Sequence, residues 1–114
     1  MAVKKVARHV LWGTTGVGFQ FNNDTTESTA SDTIVARLFT KAQAAAGYTT
    51  GTKINGTETG QLAGVVVPLT FDLTLVTAGQ WYELRIMNDT FTKGFFPNSQ
   101  TADKIMIYVR PIFV

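Results

Sequence analysis

Cysteine is absent altogether, which removes disulfide cross-links, thiolate metal ligands and a cysteine nucleophile together. The usual staple of a small secreted domain is missing as well. Histidine occurs once, at His9. A general base needs a partner to orient it and a zinc site needs several ligands, so a lone histidine between Arg8 and Val10 reads as a surface or packing residue. Charge is sparse: 16% of residues are charged, against a usual value of about 25%. The net charge of +2 is spread along the chain, with one local excess at Lys4, Lys5 and Arg8. Nucleic-acid binders carry a clustered basic face, so no nucleic-acid partner is expected. No apolar run approaches about 18 residues, and "MAVKKVARHVLWG" lacks the apolar core and cleavage site of a leader. Neither a membrane span nor a signal peptide is expected.

Threonine fills the place of the missing charge, with eighteen residues, and glycine adds ten. Threonine is β-branched and suits a pleated, half-exposed surface, so the composition points to strands and turns. At 114 residues the chain reads as a single domain, 1–114, long enough to bury roughly two thirds of its unfolded surface. The closing run alternates Ile105, Ile107 and Val109 with Met106, Tyr108 and Arg110. Tyr82, Leu84 and Ile86 alternate with Glu83 and Arg85 in the same way, and Leu69, Phe71, Leu73 and Leu75 do so after Pro68. Pro68 itself predicts a bulge or a strand boundary. Residues 3–21 predict a hairpin through the turn "GTTG" at 13–16, and "TFTKGFF" predicts a short strand. One helix is predicted, at about 32–46: Ile34, Leu38, Ala42 and Ala45 form a stripe, Ser31 or Asp32 caps its start, and Gly47 stops it. "YTTGTKINGTETGQ", residues 48–61, predicts a long loop or weak hairpin and a contact surface. About seven short strands and one helix amount to an all-β fold, an antiparallel β-sandwich of jelly-roll type.

The tempting motifs fail on mechanism. "WGTTGVG" spaces its glycines as Gly13-x-x-Gly16-x-Gly18 and is followed by strand-like Phe19-Gln20-Phe21. A dinucleotide site needs a helix N-terminus there, so a hairpin turn is the better reading. "NNDTTESTASD", residues 22–32, is rich in oxygen ligands but lacks the calcium-loop pattern. A solvated loop is expected, with calcium the alternative. The triplets beginning at Asn23, Asn55 and Asn88 match the glycosylation acceptor pattern and are read as exposed turns. No pair among the eight carboxylates is singled out as acid and base. No catalytic signature is present, and no enzyme, cofactor or metal site is expected. Trp12, Trp81, Tyr48, Phe95 and Phe96 are the aromatics that a sugar could stack on; core packing is the competing role for each.

The sequence ends "KIMIYVRPIFV", with no polar residue after Arg110. Pro111 breaks a ladder, so the closing segment is expected to be a sheet edge or to leave the sheet there, and an exposed apolar edge is an aggregation hazard. The tail either folds into its own sandwich or is covered by another chain, and a tail buried in or beside a partner is the preferred reading. Taken with "MAVKKVARHVLWG", "YTTGTKINGTETGQ" and "RPIFV", the chain resembles the decoration or cement proteins of tailed bacteriophages, small accessory capsid proteins. The resemblance implies a non-enzymatic virion protein on the capsid surface, made in the host cytoplasm and present as a homo-oligomer or in multiple copies in an assembly. It would bind across neighbouring major capsid protein subunits and favour the assembled shell by linkage. Under it, Lys4, Lys5 and Arg8 meet an acidic shell, and Phe95, Phe96, Ile112, Phe113 and Val114 are the apolar anchors. A carbohydrate-binding module on the same fold is the competing class, using Trp81 or Tyr48.

Overall fold

A computed structural model describes residues 6–23, 33–56, 58–59, 65–92, 94–96 and 104–111. Its strands are β1 (Val6–Trp12), β2 (Val17–Asn23), β3 (Thr33–Phe39), β4 (Thr52–Lys53), β5 (Glu58–Thr59), β6 (Val65–Phe71), β7 (Gln80–Met87), β8 (Gly94–Phe96) and β9 (Lys104–Arg110), with one helix, α1 (Lys41–Ala45). A larger sheet runs β1-β9-β7-β3-β4, with β5 also on β3 and β8 also on β7; β2 and β6 form a second, two-stranded sheet. The fold is an all-β sandwich.

The alternation of β9 is realised directly. Ile105, Ile107 and Val109 point into the core, while the residues between them are half-buried. Tyr82, Leu84 and Ile86 of β7 and Ile34, Ala36 and Leu38 of β3 complete the inner face. Phe21, Leu69 and Phe71 of the small sheet close over it, with Phe19 stacked on Phe71 at 5.1 Å between ring centroids. Offset aromatic pairs of this kind add to the burial energy of the rings.

Several expectations are corrected. Residues 3–21 do not form a hairpin: β1 pairs with β9 and β2 pairs with β6, so the 13–16 turn carries the chain from one sheet to the other. Gly16 takes φ +74° there, and the Gly13 N–H donates to Arg110 O at 2.8 Å. The β1–β9 pair is parallel, so the sheet is not wholly antiparallel as a jelly roll requires. Of the two outcomes expected at Pro111, the closing strand is not an edge, since β9 lies between β1 and β7 and β1 is the edge; the strand does end at Arg110, before Pro111. Pro68 neither bulges nor ends β6; it pairs with Gln20 in register, which a two-stranded sheet permits because each strand has an open side. After Phe71 the alternation stops, and Leu73–Leu75 form a 3-10 turn whose cap, Asp72, accepts from the Thr74 N–H at 3.0 Å.

The helix is the largest correction. Its first half, Thr33–Phe39, is β3, and only Lys41–Ala45 are helical. Thr40 caps α1 in a reciprocal box with Gln43. Gly47 stops it as expected, at φ +95°. The Gly47 N–H donates to Ala44 O and the Tyr48 N–H to Gln43 O, the paired bonds of a Schellman motif.

Residues 52–59 are not a free loop. They run antiparallel along β3 as β4 and β5, and Ile54 and Asn55 between them are buried. The Asn55 side chain stands in for a peptide group. Its Oδ1 accepts from the Ala36 N–H at 2.7 Å, and its Nδ2 donates to Ile34 O at 3.2 Å. Asn88 is buried too and binds Thr92 through its amide, accepting from the backbone N–H at 2.8 Å. Neither asparagine is an exposed turn residue.

Candidate functional site

The outer face of the larger sheet divides into a covered half and an open half. On the covered half, β3 places Val35, Arg37 and Phe39, all buried. Direct cross-strand pairing sets Arg37 between Arg85 and Lys53, a row of like charges that by itself is destabilising. The neighbours answer it. Arg37 donates to Asn88 O and Asp89 O at 3.2 Å each, meets Asp89 Oδ1 at 3.4 Å, and lies 3.9 Å from the Phe91 ring centroid. Burial lowers the Arg37 pKa from its ordinary value, and Asp89 raises it in opposition. Phe91 reaches its place over the guanidinium at φ +62°, a conformation that costs a non-glycine residue some strain.

Arg85 is neutralised from the other side. Its Nε donates to Glu83 Oε2 at 2.9 Å, and its guanidinium stacks at 3.9 Å on the Tyr48 ring. The Schellman turn swings Tyr48 (φ +61°) back over the sheet, edge-on to Phe39. Its hydroxyl donates to both Glu83 oxygens at 2.9 Å. Burial, then the bond to Glu83, raises the Tyr48 pKa, so the phenol stays protonated at neutral pH and remains a donor. Glu83, 5% exposed, is therefore occupied on both oxygens by groups that hold it still. Its part in the sheet is to tie Tyr48 and Arg85 together.

The open half lies on β1, β9 and β7. The register sets Trp12 beside Arg110, Tyr108 between Val10 and Trp81, and Met106 between Arg8 and Glu83. Val10 is 55% exposed, Trp12 47% and Trp81 44%. β1 turns Arg8, Val10 and Trp12 outward, while Leu11 packs against the core. Leaving Val10 and Trp12 exposed has no advantage in an isolated sandwich, where burying them would be worth about 1.5–3 kcal/mol each. Arginines accompany the aromatics: Arg110 lies 5.0 Å from the Trp12 ring centroid and Arg8 5.8 Å from that of Trp81. Trp81 and Tyr108 pair at 5.2 Å. Trp, Tyr and Arg are the residues that dominate binding energy in protein interfaces.

Where the halves meet, a cleft of about 440 Å³ opens between α1 and Trp81. It is lined by Phe39, Thr40, Lys41, Ala44, Ala45, Tyr48, Trp81, Glu83, Lys104 and Met106. A second hollow, of about 230 Å³, is lined by Arg8, Trp81 and Met106, so those last two side chains form a ridge between the hollows.

The residues expected to act together are not all gathered here. Arg8 is in the open half. Phe95 is fully buried in the core and is not a surface anchor; Phe96, half-buried, packs on Phe19 and Phe21 instead. Sequence parity predicts that only one of the two can point inward, but Phe96 also packs against the core, at its margin. Lys4, Lys5, Ile112, Phe113 and Val114 lie outside the described residues, as do residues 24–32 of the loop weighed for calcium. Pro111 is exposed one residue past Arg110, so the chain leaves β9 at the Trp12 corner. Val10 and Tyr108 were missed as a surface, and Trp12 was weighed only for sugar stacking against core packing, because the face of β1 is decided by its pairing with β9. Among the described residues no three metal-ligating side chains gather, and no helix is long and apolar enough to cross a membrane. No protein-family model matches the chain, and no curated protein or solved structure matches it.

Proposed function

We propose that the chain is a non-enzymatic assembly protein that docks through the open half of its larger sheet, in the manner of a capsid decoration protein. It binds across neighbouring subunits of a shell in multiple copies and stabilises the assembled state, because a ligand of the assembly shifts the equilibrium away from free subunits. The observation that carries the reading is the outward Val10–Trp12–Trp81–Tyr108 surface with Arg110 over the Trp12 ring and Arg8 over the Trp81 ring. Arginines placed over indoles keep their charge available to an acidic partner. Lys4 and Lys5, next to β1 in the chain, extend the same basic character, and the 112–114 tail follows from the corner where Trp12 lies.

The test is co-sedimentation of the purified protein with undecorated capsid shells. Trp12→Ala and Trp81→Ala should each weaken binding about 10- to 100-fold, the range of interface hot spots, with unchanged circular dichroism. Full shell affinity in the double variant would remove the surface from the account.

A carbohydrate-binding role is the second reading, and the tilted Trp81–Tyr108 pair is the feature that favours it. A specific glycan-array hit that Trp81→Ala abolishes would put it first.

A further inference from the structure

The cleft beside α1 is an apolar pit under an unbalanced positive rim. Phe39, Ala44, Ala45, Met106 and the Trp81 indole make its walls. Its volume of about 440 Å³ falls in the range of ligand sites, roughly 300–1,000 Å³. On its floor the polar groups are already spent on each other: Tyr48 and Arg85 occupy Glu83. At the rim stand Lys41 and Lys104, and the two ion pairs among the described residues, Arg37–Asp89 and Arg85–Glu83, involve neither. Over the Trp81–Met106 ridge, Arg8 adds a third cation that rests on an aromatic face rather than on a carboxylate.

We infer that this cleft takes one large apolar side chain from an acidic peptide segment of a protein partner. The flanking carboxylates meet Lys41 and Lys104, and a further one reaches Arg8 across the ridge. The inference rests on the docking reading above and names the chemistry of the partner at one point of that surface. A sugar is disfavoured because its hydroxyls would find few free polar groups: Glu83 and Tyr48 are committed, and Thr40 is the remaining hydroxyl of the lining. A nucleic-acid strand is disfavoured because the pit is walled by α1 methyl groups and Met106 rather than by a flat run of aromatic faces. The rim supplies steering and the pit supplies retention, the usual division of labour between charge and buried anchor.

The test uses the Trp12→Phe protein, in which Trp81 is the sole indole emitter, titrated with an eight-residue peptide of Asp and Glu around one central Phe. A saturable change in emission is expected, with a dissociation constant on the order of 100 μM. Replacing the peptide's Phe by Ala should weaken binding at least tenfold. Ala44→Leu, which fills the pit with a residue that helices accept, should do the same. The Lys41→Glu/Lys104→Glu pair should abolish binding and admit a Lys-rich peptide with the same central Phe. Binding that ignores Ala44→Leu or the charge reversal overturns the inference, as does no saturation by about 1 mM, or oligothymidine of equal charge binding more tightly. Shell co-sedimentation separates the two levels. If Trp12→Ala/Trp81→Ala releases shells while Ala44→Leu and the lysine reversal do not, the surface stands and the cleft falls. If the peptide binds as described and shells do not, the cleft stands and the assembly reading falls.

Discussion

Replacing Asn55 by alanine should cost far more than a substitution in a glycine- and threonine-rich segment usually does. The side chain completes the ladder along β3 through two bonds, from the Ala36 N–H and to Ile34 O, and both of those residues are fully buried. The backbone on either side is already committed, with the Ile54 N–H donating to Ala36 O and the Asp72 N–H to Ile54 O. Alanine leaves a buried donor and a buried acceptor without those partners, at about 1–3 kcal/mol each, so a loss of about 2–6 kcal/mol is expected. For a chain of 114 residues that lowers the melting temperature by about 8–24 °C. Urea unfolding followed by circular dichroism measures it, with the slope unchanged if the native state is otherwise intact. Asn55→Asp sharpens the test. Ionised, it keeps an acceptor for Ala36 but loses the donor to Ile34 and buries a charge; protonated, it can serve both. Its folded pKa should therefore lie above the unfolded value of about 3.9, so its stability is fullest below that pH and is lost as pH rises through the folded value. An alanine variant within 0.5 kcal/mol of the parent, the scatter of ordinary surface changes, would refute the idea that this amide substitutes for a strand.

Three further outcomes are expected. Gly51→Ala should destabilise by about 1–3 kcal/mol in thermal melts, because a Cβ there would come within 2.6 Å of the buried Phe39 ring. Tyr48→Phe should remove part of the alkaline sensitivity. The raised Tyr48 pKa means that its contribution is complete below the unfolded value of about 10 and is lost as pH climbs through the folded one. Parent and variant stabilities should thus converge above that pH in urea titrations. Deleting 112–114 should abolish shell co-sedimentation while the domain stays folded by circular dichroism; retained binding would exclude the tail as an anchor.

The parts of the fold legible in the sequence are those where one face of a strand is buried and the other is not. Ile105, Ile107 and Val109 alternate with half-buried residues, and the period of two survives in the text. It fails for β3 because both faces are buried there. Phe39 lies under Tyr48, Arg37 under Phe91, and Val35 is buried with them, so Ile34–Phe39, apolar but for Arg37, shows no two-residue alternation and a helical stripe fits it equally well. Residues 52–59 look like a loop because part of their ladder comes from the Asn55 side chain, which propensity does not count. The candidate site was half legible. Trp81 and Arg8 stood out by type and position, but whether Val10 and Trp12 face solvent depends on a partner strand distant in sequence. The cleft depends on a Schellman turn that returns Tyr48 over the sheet.

The parallel pairing of β1 with β9 also has a temporal side. The partner of Val6 is Lys104, 98 positions later (104 − 6), and β9 is the strand that joins β1 to β7. During translation at about 5–20 residues per second, β1 waits on the order of 5–20 s for the ribosome to release its neighbour. Until then the nascent polypeptide carries Val10 and Trp12 on an unzipped ribbon, exposed to whatever else is being synthesised nearby.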